Sequence, residues 1–555
     1  MSPRVAESER VPPVSGGGRE SSSEDDIRGA LGILRANSDR PRGLRRRFLA
    51  LLAIAGPGII VMVGDNDAGG VATYSQAGQN YGTSLLWVLL LLIPVLIVNQ
   101  EMVVRLGAVT GMGHAKLIFE RFGRFWGAFS VGDLLILNFL TLVTEFIGVS
   151  LALGYFGISP LISVPIAALG LIAVTVSGSF ERWERAMFVF IVANLLVIPL
   201  LFMSHPQLGP VLHGLLVPGI KHGLNGNSVL LVIAIVGTTV APWQLFFQQS
   251  NIVDKRITPR WIAYERLDTV LGSVVTVLGA GAVLVVCAFA FRSPALAGHF
   301  SDAGAVARQL RQSLGAGAGA IYAIILLNAS LIGAATLSVA TSYAVGDTFG
   351  IRHSLHRSLG EARGFYGSFA ALVLAAAGTV LIPDAPLGLI TTAVQALAGV
   401  LLPSATVFLL LLCNDRAVLG PWVNPRWLNA VAVLIISTLL ALSAILTITT
   451  LFPGLDVARL VLEVGILLVL LLALGGLAYV ASGLIGGRRT GELARGGVSV
   501  SRANRESWTM PALALLERPL QSIWRKVALL AMWVYLAGSG LMLAVKVVQV
   551  ASGRT

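Results

Sequence analysis

The chain has 555 residues, 55% of them hydrophobic and only 12% charged, with a mean hydropathy of +0.81. That balance excludes a soluble enzyme, a disordered chain and a disulfide-stapled secreted domain, and requires a polytopic membrane protein. The formal net charge of +12 does not point to nucleic acid, because the basic residues fall mostly in short loops between apolar stretches.

Residues 1–44 are rich in Ser, Gly, Pro, Glu and Arg, carry no apolar leader, and are expected to form a disordered cytoplasmic tail. Apolar runs of about 20 residues then predict thirteen helices, at 48–77, 83–106, 127–155, 160–177, 185–204, 226–251, 264–291, 316–347, 364–382, 387–413, 427–450, 457–484 and 526–549. Residues 485–525 read as a cytoplasmic linker with an interfacial amphipathic piece around Trp508, Met510 and Trp524. With the N-terminus inside, the cytoplasmic loops hold the basic clusters Arg45, Arg46 and Arg47; Lys116, Arg121 and Arg124; and Lys255, Arg256, Arg260 and Arg266. The opposite side carries only Lys221, Arg292, Arg308, Arg311, Arg459 and Arg554. This positive-inside bias orients the chain in an inner (plasma) membrane with a cytoplasmic N-terminus.

Cys287 and Cys413 lie in apolar runs, so neither a disulfide framework nor a thiolate metal site is expected. All seven histidines fall outside the predicted spans. His205, His213, His222 and His299 lie in the long outer loops, where solvated side chains are the expectation and a metal cluster the alternative. Glu101, Asp133, Asp347 and Asp415 lie toward cytoplasmic helix ends and read as solvated acids, and Asn328 and Thr336 as polar glue between helices.

Two spans carry chemistry. The first runs from Gly56-Pro57-Gly58 to Asp65-Asn66-Asp67-Ala68-Gly69-Gly70. A charge at mid-membrane costs roughly 2.5–3.5 kcal/mol on insertion scales, so it has a use or faces a wet cavity. Adjacent glycines each lower helix propensity by about 1 kcal/mol, which predicts a break there. The sixth span contains Gly237-Thr238-Thr239-Val240-Ala241-Pro242-Trp243-Gln244. Pro242 lacks an N–H, so carbonyls near Thr238 and Ala241 should be free. Breaks in the first and sixth helices match an inverted-repeat transporter, whose substrate binds at the midplane between two discontinuous helices.

Gly56-Pro57-Gly58, Asp67-Ala68-Gly69-Gly70, the Gly107 to Gly111 stretch, Glu145-Phe146-Ile147-Gly148 and Thr239-Val240-Ala241-Pro242 follow in an order that resembles the Nramp family of divalent-metal transporters. The resemblance covers about 45–450. It implies an all-α, leucine-transporter-type fold with inverted five-helix repeats at 45–204 and 205–414, followed by extra C-terminal helices in 415–555. It also implies a metal site built on Asp67. The departures are informative. Gly70 stands where the family has Asn, Ala241 where it has Met, Trp243 where it has His, and Leu142 where an acid is common. These substitutions look like the Nramp-related magnesium transporters, a branch on the same scaffold without proton coupling.

The donor chemistry agrees. Without a thioether, carboxylate, carbonyl and amide oxygens suit Mg²⁺ or Mn²⁺, which serve as substrate and not as cofactor. Asp67 is the expected main ligand, with the carbonyls of Thr238 and Gly69 or Gly70 at hand, and Gly70 and Ala241 enlarging the pocket. Gln395 is a site member or an interhelical hydrogen-bonding residue. Asp65 is a second ligand or vestibule acid, or else a cap or the partner of an intramembrane donor. Glu145 is an outer acceptor or a buried neutral acid. Asn66, Trp243 and Gln244 border the site. The small-residue run from Ser330 to Ala340 reads as packing surface. The alternatives are a proton-coupled Mn²⁺/Fe²⁺ importer, a sodium-coupled amino-acid transporter and a non-transporting sensor. Oligomeric state leaves no mark in the sequence.

Overall fold

The computed structural model describes residues 26–35, 43–176, 178–291, 293, 296–383, 386–452, 454–486, 502–516, 525–535 and 537–538. The first half holds α1 (Leu44–Ile54), α2 (Pro57–Gly64), α3 (Ala68–Tyr81), α4 (Leu86–Thr110), α5 (His114–Phe122), α6 (Arg124–Tyr155), α7 (Pro160–Thr175), α8 (Phe180–Ala193), α9 (Val197–Met203) and α10 (Leu208–Leu216). The second half holds α11 (Gly226–Thr239), α12 (Pro242–Asp254), α13 (Ile262–Ala290), α14 (Ala303–Leu314), α15 (Ala316–Phe349), α16 (Arg363–Val380) and α17 (Leu387–Cys413). α18 (Arg416–Leu419), α19 (Arg426–Leu451), α20 (Val457–Gly486) and α21 (Arg502–Ser507) follow, and residues 525–535 are helical.

Among the described residues, ten helices are long and apolar enough to cross a membrane, or eleven counting the bent α1–α2 pair. α7 is a shorter apolar helix, and the predicted last span is described only in its first part. The two halves pack reciprocally. α13 lies along α2 and α3 while α4 lies along α12, and the third spans of each half, α6 and α15, pack on one another. The fold is thus all-α and of the leucine-transporter type. The outer loops at 205–225 and 292–315, and the loop after α4, are not bare connections, for they contain α10, α14 and α5.

The predicted first span is three helices. α1 and α2 meet at 54°, at a Gly56 with φ of 150° followed by Pro57. Gly is the residue that tolerates that backbone, and Pro is suited to the first helical position, where no N–H is needed. The remaining amides are met from α13. Asp268 Oδ2 accepts from Gly56 N (3.1 Å), Gly58 N (2.8 Å) and Ile59 N (3.2 Å).

Within the stretch expected to be a tail, residues 26–35 form a hairpin (β1 Ile27–Gly29, β2 Gly32–Leu34). Its order comes from two anchors that composition does not reveal. Ile27 is buried, and Ala30 N donates to Glu184 Oε2. Glu184 Oε1 in turn takes Lys255 Nζ at 2.7 Å, and Lys255 also donates to Ala55 O at 2.8 Å. The rest of 1–44, apart from Gly43 and Leu44, lies outside the described residues.

The acids expected to be solvated are engaged. Glu101 pairs with Arg105 (2.9 Å) and Arg266, Asp415 with Arg121 (2.6 Å), and Asp347 with His353 (3.1 Å), while Asp133 accepts from Ser404 Oγ (2.9 Å). Basic residues set by the charge bias to one end of the helices lie near enough to pair with acids at that end. Asn328 joins α15 to Phe190 O and Asn194 (both 2.9 Å), as glue should, but Thr336 bonds only back to its own helix. In the stretch expected to be an interfacial linker, the Arg505 guanidinium covers the Trp422 ring at 4.2 Å and Met510 N donates to Val109 O at 3.2 Å. This segment is therefore docked on protein.

Removing one partner of a buried ion pair leaves an uncompensated charge and costs about 3–5 kcal/mol. Lys255→Ala should lower the thermal midpoint in detergent accordingly, and Glu184→Gln with Lys255→Met should recover most of it. His353 supplies a pH-dependent term. Burial opposes its protonation, but the Asp347 carboxylate outweighs burial and raises its pKa above the ordinary value. A raised folded-state pKa contributes stability below the ordinary value of about 6.5, and the contribution is lost as pH climbs through the folded value. The melting-point advantage of wild type over His353→Gln should therefore shrink between about pH 6 and pH 8.

Candidate metal centre

The break in the first span lies at Asp65-Asn66-Asp67 and not at the glycines, which sit inside the first turn of α3. Asp and Asn compete with the helix by bonding local amides, and here that effect outweighs glycine propensity. Asp67 is the N-cap, with Oδ1 accepting from Gly70 N at 2.7 Å. The next amide, Ala68 N, goes to Glu145 Oε2 of α6 at 3.0 Å. The Glu145 carboxyl lies beside Asp67, for both border the same point over Gly333. Two carboxyls so placed need a shared proton or a cation between them.

The sixth span breaks at Val240-Ala241, as its proline requires. No backbone donor reaches the carbonyls of Gly237 or Thr238. Ala241 O, expected to be free, accepts from Gln244 N at 3.2 Å, because the chain turns at once into α12. On the other break the free carbonyls are those of Gly64 and Asp65 at the end of α2. The expectation for Gly69 O is corrected: it accepts from Thr73 Oγ1 at 2.7 Å, and Gly70 likewise lies within helical backbone.

α3 faces α11 through Tyr74 Oη and Thr239 Oγ1, 2.8 Å apart. A methyl group on Gly70 would lie 3.1 Å from Asp65 O and 3.2 Å from Thr238 Oγ1, so the room expected from this glycine is already filled by neighbours. A methyl on Gly69 would lie 1.7 Å from Gln395 Nε2, so α17 brings this side chain onto the start of α3. Gly333 is equally close, with its missing methyl 2.7 Å from Glu145 Oε2 and 2.8 Å from the Cβ of Asp67. The small-residue run of α15 therefore borders the candidate site and does more than pack.

Asp65 is fully buried with no hydrogen bond to either carboxylate oxygen, close to Asp67, Gln244 and Tyr74. It caps nothing. Gln244 bonds Gln100 Nε2 (3.2 Å) and Thr239 O (3.5 Å). Trp243 packs beneath the end of α2, 3.6 Å from the methyl position of Gly64. Asn66 turns away, giving its amide to Thr276 O of α13 at 3.0 Å. Beside α3, a cavity lined by Ala68, Ala72, Thr144, Gly148, Phe300 and Asp302 runs toward α14. Sequence reasoning missed Tyr74, Gln100 and the ring of Glu184, Lys255, Glu265 and Asp268, of which it reads only Lys255, and that as a cytoplasmic loop charge. The signal available was their spacing from the breaks. Among the described residues no three His, Cys, Asp or Glu side chains gather as a metal cage, so the four outer-loop histidines form no such cluster.

Two interrupted helices crossing at mid-bundle, with buried acids and free carbonyls at the interruption, define the class of inverted-repeat membrane carriers. Comparison narrows the class. The profile of the Nramp family, described as natural resistance-associated macrophage protein-like, matches residues 58–449. A "Divalent metal cation transporter MntH" of Ralstonia nicotianae is 32% identical over 400 residues, 69% of this chain and 87% of that protein. The protein of the same name in Bacillus subtilis is 26% identical, over 75% and 96% respectively. A crystal structure of the Eremococcus coleocola manganese transporter superposes with a TM-score of 0.60 at 20% identity, covering 82% of this chain and 98% of that one. The chain belongs to the Nramp family.

Overpacking a tight contact costs about 1–3 kcal/mol. Gly69→Ala should lose that much stability in chemical or thermal unfolding. Shortening the facing side chain with Gln395→Ala in the same protein should restore it, whereas Gln395→Ala combined with a distant substitution should not.

Proposed function

We propose that the protein carries Mg²⁺, and Mn²⁺ as well, across the plasma membrane by alternating access, without coupling to protons. The observation that carries this reading is the donor set at the two breaks. It comprises the Asp67 carboxyl, with Asp65 close by, and the unpaired carbonyls of Gly64, Asp65, Gly237 and Thr238, with Ala241 and Trp243 where a sulfur or an imidazole could stand. Met62 is the nearest thioether in sequence, and its sulfur accepts from Ser273 Oγ of α13 at 3.6 Å. Oxygen donors with few carboxylates suit a hard ion that keeps part of its water. Gln395 joins the set from α17, and Glu145 backs Asp67. The distribution of basic residues supports a cytoplasmic hairpin side, with the cavity by Asp302 facing outward.

A second reading, proton-coupled Mn²⁺ import, is favoured by the Asp67–Glu145 pair, where a proton could sit, and by the relatives named as divalent metal cation transporters. A membrane potential alone supplies about 2.3 kcal/mol per charge per 100 mV, doubled for a dication, so coupling is not needed for uptake.

Uptake into proteoliposomes with Mg²⁺, Mn²⁺, Ca²⁺ and Cd²⁺ separates the readings. Mg²⁺ and Mn²⁺ flux should fall at least about 10-fold in Asp67→Ala, since even outer partners of a metal site are worth that much. Ala241→Met should shift preference toward Cd²⁺. A pH dye in the lumen should stay unchanged during uptake. Metal-driven acidification at the rate of uptake would establish the second reading instead, and Mg²⁺ flux untouched by Asp67→Ala would refute both.

A further inference from the structure

Past the break before α12, toward the hairpin, the buried charges do not balance. Three acids (Glu184, Glu265 and Asp268) and one base (Lys255) are each at most 2% exposed. Glu184 is matched by Lys255 at 2.7 Å and by the Ala30 amide. Asp268 is matched by the three amides that open α2. Glu265 is matched by nothing: neither of its oxygens has a hydrogen bond, although Gln248, Lys255 and Asp268 are near enough to act on it. Lys255 is committed elsewhere, to Glu184 and Ala55 O. A buried carboxyl in this condition must hold a proton or a cation.

The wall opposite supplies more oxygen. Gln244, Gln248, Asn251 and Lys255 recur along α12 at spacings that put them on one helix face. Gln248 gives one of its two amide hydrogens to Thr269 Oγ1 at 2.9 Å, the other being near Glu265, and its oxygen is buried and without a partner. Asn251, one turn on, has both polar atoms buried and unpartnered. The surplus here is mostly acceptors, four oxygens against one amide nitrogen. Another hydrogen-bond acceptor would not satisfy such a set, whereas a hard cation would. Gln248 is six residues past Pro242, about 9 Å along the helix from the central site.

We propose that Glu265, with the side-chain oxygens of Gln248 and Asn251, forms a second, transient station for a divalent cation between α12 and α13, on the way from the central site to the hairpin side. The inference rests on the transport reading above. Lys255, held by Glu184 just beyond, keeps a positive charge beside the station, so that an ion is bound weakly enough to leave, as conduction through successive sites requires.

The test is a Mn²⁺ titration of the purified full-length protein in detergent, followed by electron paramagnetic resonance, with Mg²⁺ as competitor. Wild type should bind about two Mn²⁺ per chain, Glu265→Gln and Asp67→Asn about one each, and the double variant none, with the Glu265-dependent ion the weaker. Glu265→Gln is isosteric, and an unchanged melting curve checks its fold. Asn251→Leu, which keeps the carboxyl, should weaken only the second ion. If wild type binds about one Mn²⁺, lost in Asp67→Asn and kept in Glu265→Gln, the station is overturned and the transport reading stands. If wild type binds none, both fall.

Discussion

A peptide group cannot be left bare in a bilayer, and this structure opens two helices at its centre. Everything around the breaks answers that constraint. The amides that start α3 are taken by Asp67 and Glu145, and those that start α2 by Asp268. The acids are therefore structural before they are anything else, since without them the helices could not be interrupted at this depth. What remains after the amides are satisfied is a surplus of oxygen: the carbonyls of Gly64, Asp65, Gly237 and Thr238, and the unbonded carboxyl of Asp65. The same interruption that creates a cost for the fold leaves a set of unpaired oxygens at that depth.

The second requirement is clearance. Broken ends can meet side chains from α6, α15 and α17 only where no Cβ intervenes, and glycines stand at those contacts. Gly69 admits Gln395, Gly333 admits Asp67 with Glu145, and Gly148 admits Ala68 and Ser330. In the sequence Gly69 reads as a helix breaker, Gly333 as generic packing surface and Gly148 as part of a family motif. In the structure they act as spacers that set how near each donor comes.

Much of this was legible in the residues. Hydropathy located all ten helices that are long and apolar enough to cross a membrane among the described residues, because crossing demands length and apolarity that few other segments share, and Pro242 located the second break to the residue. The first break was placed three residues late, since Asp67 overrides glycine propensity by capping the helix that the glycines then continue. Asn66, flanked by the two acids, looked like a site neighbour yet serves α13. No local pattern could have shown this, for its partner is more than two hundred residues away. The hairpin at 26–35 was hidden for the same reason. Its composition is that of a solvated tail, and only the distant Glu184 gives it a place to bind. Glu265 and Asp268, one turn apart on α13, could not be told apart by sequence, although one is saturated with amides and the other has none.

Gly237 and Gly399 bring the backbones of α11 and α17 together so closely that a methyl on the first would lie 2.2 Å from the amide nitrogen of the second. Two rods in such contact cannot slide or tilt separately without tearing the seam. Any rocking of the molecule must carry them as one stiff beam, and its flexure falls to the joints on either side: Gly56, where α1 bends into α2, and the two-residue gap before Pro242. Where two side chains are missing thus fixes which helices form one rigid unit.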